Sequence, residues 1–368
     1  LRRDISLTRR RILGAGLLSL AGCGSLDRGR PDVDRPTGDE RIQSILRETT
    51  TIDLHSHAGR VIAGRSGNFE RPFEPVREPM SQGGMNLICL AVVADTPVTR
   101  VNADHTISAV RTPSPGELYE YAQHSFPRAM RLVEHERLAL VTDRDSMAKV
   151  RKAGPAVIMA SEGADFLEGQ IDRVDEFYAR FSLRHMQLTH YRVNELGDIQ
   201  TVPEISGGLS AFGADVIRRC NALGIVVDVA HGPFDLVQRA AEVTTKPLVL
   251  SHTSLAAVPR PFSRLIGPDH ARIIASTGGV IGIWPPASRF PTMTALAGGI
   301  AAMVDVVGVE HVGLGTDMLG LTGPAVFGSY TDLPVLIEAL LARGFSSAEV
   351  SSIVGGNYRR VFDATMVS

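Results

Sequence analysis

The stretch that decides the fold is Asp53-Leu54-His55-Ser56-His57, which closes the β-branched run Thr49-Thr50-Thr51-Ile52 and opens a loop containing glycine. Two imidazoles two residues apart at the end of a strand share one face, because side chains alternate with a period of two. The C-terminal end of a parallel strand is where α/β folds carry their chemistry. HxH here is therefore a candidate metal site, and its alternative is a pair of surface histidines at a loop start. The later histidines decide between the two.

Working outward, short apolar runs alternate with amphipathic segments from residue 41 onward, the pattern of βα units around a parallel sheet. Eight runs are expected as strands: 50–54, 86–93, 156–160, 185–189, 225–230, 247–251, 279–283 and 311–315. Helices are expected over 211–223, 234–244, 296–307 and 333–343. Eight such units favour a single (β/α)8 barrel with insertions over two doubly wound domains.

The residue following each run carries the functional signal. His55 and His57 follow the first, Glu162 the third, His190 the fourth, His231 the fifth, His252 the sixth and Asp317 the eighth. Six of eight strand ends bearing His, Asp or Glu would converge on one face of a barrel. The other histidines, His105, His124, His135, His185, His270 and His311, fall in loops, helices or strand starts and are expected to be structural or solvated. Between the second and third runs lies a long insertion, read as a polar loop over 97–115 followed by helical patterns to 150. It either shapes a substrate pocket or is a decorative excursion. Tyr119, Tyr121 and Phe126 within it read as core, and Gly355-Gly356 as turn formers before a final helix.

Imidazoles and carboxylates without thiolates are the ligand set of a hydrolytic zinc, iron or manganese site. Such a site can lower the pKa of a bound water to about 7 and needs no activated serine. Glu162 can bridge two ions, and Asp317 can move a proton or hold a cationic substrate group. The three lysines, Lys149, Lys152 and Lys246, stand at no strand's C-terminal end, which rules against a carbamylated-lysine bridge.

The chain has 368 residues, 44% hydrophobic and 21% charged, enough for a full globular core. A net charge of −2 and a pI of about 6.6 give no basic footprint, so nucleic acid is set aside as a partner. Residues 1–23 read as an export signal: Arg9-Arg10 precedes a short apolar run ending in Leu20-Ala21-Gly22-Cys23. The arginine pair resembles a Tat signal, and the last four residues resemble a lipobox that would lipidate Cys23. Residues 24–40 are polar and rich in Pro and Gly, as in a solvated tether, which leaves 41–368 for the barrel. The expected location is bacterial and extracytoplasmic, on the membrane through a lipid at Cys23. Cys89 and Cys220 are expected as buried free thiols.

Together the blocks Asp53-Leu54-His55-Ser56-His57, Gly83-Gly84-Met85-Asn86, Ser161-Glu162-Gly163-Ala164, Leu188-Thr189-His190, Gly208 to Gly213, Val227-Asp228-Val229-Ala230-His231, Leu250-Ser251-His252-Thr253-Ser254, Gly313-Leu314-Gly315-Thr316-Asp317 and Gly355 to Phe362 resemble the membrane (renal) dipeptidase family of the amidohydrolase superfamily. The order is the family's, as is the 21-residue interval from His231 to His252. The resemblance implies that His55 and the residue two later bind a first divalent ion, Glu162 bridges, and His231 with His252 bind a second, zinc being the expected metal. It further implies that His190 polarises the scissile carbonyl and that Asp317 handles the proton or the substrate's amino group. An arginine after the sixth strand, Arg264 or its rival Arg260, would hold the substrate carboxylate. Two departures stand out: the family usually has Asp where this chain has His57, and a second acid where it has Leu319. The leading expectation is a dipeptidase that attacks the peptide bond with hydroxide made on a binuclear site. An amidase or lactonase on the same scaffold, or a non-catalytic lipoprotein, are the alternatives. Assembly as a homodimer is left open.

Overall fold

The computed structural model describes residues 38–64, 68–256, 258 and 260–367. Arg9, Arg10, Cys23 and the tether up to residue 37 lie outside the described residues. A first helix, Gly38–Glu48, begins three residues inside the stretch read as tether.

Eight parallel strands close into a barrel: β1 (Ile52–Ser56), β2 (Leu87–Val93), β3 (Ala156–Glu162), β4 (Leu183–Gln187), β5 (Val226–Asp228), β6 (Val249–Thr253), β7 (Val280–Ile283) and β8 (Val312–Leu314). Each pairs with the next, and β1 closes the ring against β8 at Asp53 and Leu314. The protein is a single (β/α)8 barrel. All eight expected runs form strands, displaced from their expected bounds by one or two residues at most of their ends. The helices Ala211–Leu223, Phe234–Val243, Met293–Val307 and Leu333–Ala342 lie where periodicity puts them.

The apolar runs are continuous because parallel strands are buried on both faces. In β2, Leu87, Cys89 and Ala91 join the barrel interior, whereas Ile88, Leu90 and Val92 pack under the helices. Tyr358, Val361 and Phe362 of the last helix, Asn357–Thr365, plug the interior at the N-terminal ends of the strands. Gly355 admits that plug: a Cβ there would lie 2.0 Å from the Thr50 carbonyl oxygen.

The insertion departs from the sequence reading. Its polar stretch is not a plain loop but contains a hairpin, Thr99–Val101 paired antiparallel with Ile107–Ala109, and helices Glu117–His135 and Arg144–Ala153 follow. A two-residue strand, Ala139–Leu140, adds to the outside of β3. Tyr121 and Phe126 are core, and Tyr119 packs against it. Cys89 and Cys220 are buried free thiols. Among the described residues no helix is long and apolar enough to cross a membrane.

Candidate metal centre

The strand ends deliver their side chains to one point. Around the Glu162 carboxylate stand five imidazole Nε2 atoms: His55 (3.4 Å), His231 (3.3 Å) and His252 (3.5 Å) on Oε1, His57 (3.1 Å) and His190 (3.3 Å) on Oε2. Asp317 Oδ1 lies 3.4 Å from His57 Nε2 and 3.9 Å from His55 Nε2. All seven side chains are buried. Every residue proposed as a ligand or catalytic group from sequence is thus in one cluster, drawn from six strands.

The cluster has the donor chemistry of a divalent-cation site. His57 Nδ1 donates to the Ala91 carbonyl (2.9 Å), so in the neutral ring Nε2 carries the free lone pair. Nε2 of His55 and His57 approach to 3.1 Å, and Nε2 of His231 and His252 to 3.0 Å. Two lone pairs that close together repel unless a proton or a cation lies between them. Asp317 Oδ1 is buried without a hydrogen-bond partner among the described residues. The backbone leaves it room only because residue 320 is glycine, whose added Cβ would fall 2.0 Å from that oxygen and 2.4 Å from His57 Cδ2. Three trios offer ligand atoms within 4.8 Å of one another: His55, His57 and Asp317; His55, Glu162 and His252; and Glu162, His190 and His231.

Charge in the cluster is strongly biased. Burial disfavours the charged His57 ring, but Glu162 and Asp317 outweigh it and push its pKa up to about 10. His190 rises to about 8 against burial, through Asp95 and Glu162. His231 and His252 fall well below the ordinary imidazole range, mainly by burial, with the Arg264 guanidinium adding to it in both. Glu162, although buried, is held well below the usual carboxylate range by His190, His55 and His57.

The backbone is strained where it matters. His231 (φ 67°) and Asp317 (φ 51°) adopt the left-handed conformation, at roughly 1–3 kcal/mol each for a non-glycine residue. Each is pinned: His231 by Gln200 N–H on its carbonyl (2.8 Å), Asp317 by its own N–H on the His55 carbonyl (2.9 Å). Leu319 follows in the same conformation (φ 62°) and is half exposed.

A cavity of about 1220 Å3 opens above the cluster. The hairpin forms one wall through Thr99, Val101, Ile107 and Ala109, so the insertion shapes the pocket and is not a decoration. Thr322 Oγ1 donates to the His105 carbonyl (2.8 Å), tying the hairpin's turn to the loop after β8. His105 also lines the cavity and is exposed there, as the sequence reading expected of a solvated loop histidine. Arg264 lines this cavity, hydrogen-bonded to Gln200 Oε1 and to the His252 carbonyl, whereas Arg260 lines a neighbouring one of about 600 Å3. Of the two arginines only Arg264 faces the cluster's cavity. Tyr191 and Trp284 also line it and were not anticipated, although Trp284 directly follows β7. Asp95, bonded to His190, was missed too, yet it stands two residues past β2 and the strand-end rule would have found it.

A closed parallel barrel with imidazoles and carboxylates massed on its C-terminal rim defines the class: (β/α)8 barrels with a candidate metal site at the strands' C-terminal ends. Within that class the chain belongs to the membrane dipeptidase family, peptidase family M19, whose family model matches residues 40–367. It is 30% identical over 277 residues to dipeptidase aclJ of Aspergillus oryzae, covering 69% of this chain and 64% of that protein. The chain spans less than two thirds of the length of this and other dipeptidases it matches, 48% in the case of mouse dipeptidase 3. The fold is similar to the probable dipeptidase PvdM of Pseudomonas aeruginosa (TM-score 0.73, 17% identity, 89% of this chain and 98% of that one). It is similar also to a Rhodobacter sphaeroides metallopeptidase solved with a phosphinate mimic of L-Ala-D-Ala (TM-score 0.69, 18% identity, 86% and 99%).

Proposed function

We propose that this chain is a metal-dependent dipeptidase that hydrolyses the peptide bond of a free dipeptide at a binuclear site. The observation that carries the reading is the convergence of five Nε2 atoms on the Glu162 carboxylate beneath a cavity that also contains Arg264. His55, His57 and Glu162 would hold one ion, and His231, His252 and Glu162 a second, with zinc the expected element. The ions, when bound, supply Lewis acidity toward the scissile carbonyl and acidify the attacking water.

The remaining work falls to the protein's own groups. Arg264 takes the substrate's C-terminal carboxylate and sets the register of the dipeptide. His190 directs Nε2 at the scissile carbonyl oxygen and donates to it as charge develops there. Asp317 Oδ1, unpartnered and next to His57, accepts a proton from the attacking water and returns it to the leaving amine. The hairpin wall keeps bulk water off the reacting atoms.

The test is hydrolysis of a panel of dipeptides by purified, metal-loaded protein, against the same dipeptides with amidated C-termini and against N-acyl amides and lactones. Cleavage of free dipeptides, lost on chelation and weakened by amidation, supports the reading. Turnover of lactones or simple amides alone assigns the scaffold to another hydrolase, and no turnover of any class refutes an enzymatic role. The N-terminal segment adds a proposal on location, motivated by Arg9-Arg10 and Leu20 to Cys23: the protein is exported and anchored by a lipid on Cys23. Cys23→Ala should then leave the membrane fraction, and retention there would refute the anchor.

A further inference from the structure

Asp95 is fully buried just past β2, at the root of the hairpin insertion. Its Oδ1 accepts the His190 Nδ1–H at 2.7 Å, and its Oδ2 accepts the Tyr191 backbone N–H at 3.0 Å. One carboxylate therefore grips both the ring of His190 and the backbone of the next residue, which fixes the ring in position and in rotation. The carboxylate is itself anchored. Ala94 N–H donates to the Glu162 carbonyl (2.9 Å), and the Asp95 carbonyl accepts Val98 N–H (3.0 Å) and Thr99 Oγ1–H (3.2 Å). Around it, Asp165 bonds Arg192 (2.9 Å) and Asn194 (3.2 Å), so a guanidinium stands one layer out from the two buried acids. Gly163 closes the packing, since a Cβ there would lie 2.7 Å from Asp165 Oδ2 and 3.3 Å from His190 Cβ.

We infer that Asp95 is a positioning residue for the reaction: by holding Nδ1–H of His190 it keeps Nε2 of that ring aimed into the cavity beside Glu162, where the scissile carbonyl must bind. The inference rests on the dipeptidase reading for its kinetic consequence, but the bond itself can be read without turnover. A carboxylate behind an imidazole fixes how the ring is turned, and loss of such a partner costs roughly 10- to 100-fold in metal sites where it has been removed. Both oxygens of Asp95 accept, so an amide in its place must turn an NH2 toward one of two N–H donors and break one bond.

The experiment uses the full chain, metal-loaded, as the parent, Asp95→Asn, Asp95→Ala, His190→Ala and the double variant Asp95→Ala/His190→Ala. Expected is a fall in kcat of ~10- to 100-fold in Asp95→Ala, with KM, bound metal and thermal midpoint close to the parent's. The double variant should match His190→Ala within about threefold, because a residue acting only through His190 has nothing left to act on. Additive losses, or metal lost in step with activity, would overturn the inference. Independently of turnover, the imidazole N–H resonance that His190→Ala removes from isotope-labelled protein should move upfield in Asp95→Asn, and an unmoved resonance also overturns it. A moved resonance in a parent without dipeptidase activity would uphold the positioning role and sink the proposed reaction instead.

Discussion

His57, the residue that departs from the family pattern, carries the sharpest prediction, a proton–metal competition. Glu162 at 3.1 Å and Asp317 at 3.4 Å hold its pKa up to about 10 against the penalty of burial. At pH 7 the ring is then charged in all but about one molecule in a thousand, and freeing Nε2 for a cation costs ~4 kcal/mol at 1.36 kcal/mol per unit. The sign follows: with its pKa raised, the proton is held below about pH 10, so lowering the pH strengthens the competitor and weakens the metal. Apparent affinity for the ion held by His57 should fall about tenfold per pH unit between pH 8 and pH 6, one proton being released per ion. His231 and His252, pushed well below the ordinary imidazole range, bring no proton to displace, so this slope belongs to His57 and not to histidine ligands generally.

His57→Asp is the informative variant. A carboxylate among four imidazoles has no proton to surrender at neutral pH, so its slope should be shallower than the parent's by about one decade per unit. Any proton shed by His190, whose pKa of about 8 arises from Asp95 and Glu162, is common to both proteins. Competition against a chromophoric chelator at pH 6, 7 and 8, with proton release counted by calorimetry in buffers of different ionisation enthalpy, gives both quantities. Equal slopes and equal proton counts would refute the reasoning, and loss of all metal in His57→Asp would show that the site is built differently.

Three further outcomes are expected. Glu162→Gln should lose most bound metal, because a neutral amide offers one acceptor where the carboxylate offers two to five converging Nε2 atoms; full metal content by elemental analysis would sink the bridging role. Asp317→Asn should lower kcat on a dipeptide by roughly 10²- to 10⁴-fold with metal content little changed, whereas metal lost in parallel would make it a ligand. Arg264→Ala should raise KM for a free dipeptide, by about tenfold or more for a lost charge-assisted contact of roughly 1.5–3 kcal/mol, and leave its C-terminal amide unaffected. An equal loss on both substrates would refute the carboxylate role.

The barrel and the side-chain cluster on its rim were legible because both are local signals. A parallel strand buried on two faces needs a continuous apolar run, and a side chain at its C-terminal end needs only to be counted from that run. What escaped depends on partners remote in sequence. The hairpin's strands are three residues each, Thr99-Arg100-Val101 and Ile107-Ser108-Ala109, too short for alternation to show, and their placement depends on Thr322, more than two hundred residues away. Asp53 and Asp228 read as ordinary members of their runs. Burial raises the Asp53 pKa to about 6 even though Thr316, His55 and Tyr330 all donate to it. Nothing in a linear pattern states that such a carboxylate sits inside a barrel wall with its acceptors filled by the next strand.

These hidden aspartates share a logic that the ligating residues alone do not reveal. Asp53 joins β1 to the end of β8, accepting His55 N–H at 3.3 Å and Thr316 N–H at 2.8 Å, directly below His55 and Asp317. Asp228 joins β5 to β6, accepting Ala230 N–H at 2.9 Å and Ser251 N–H at 3.0 Å, below His231 and His252. Its other oxygen meets His185 Nε2 at 3.1 Å, which gives that buried histidine its structural place. Asp95 reaches from β2 across to His190 and Tyr191 after β4, flanking Glu162 on β3. Each group of converging donor atoms is therefore underpinned by one buried carboxylate that ties together the strands presenting it. The backbone N–H groups these carboxylates take up belong to His55 itself or to the residue next to a cluster side chain, so a shift of one strand relative to its neighbour would break these bonds. That coupling accounts for how left-handed residues such as His231 and Asp317 persist at the rim: their strain is borne by strand ends that cannot slide independently.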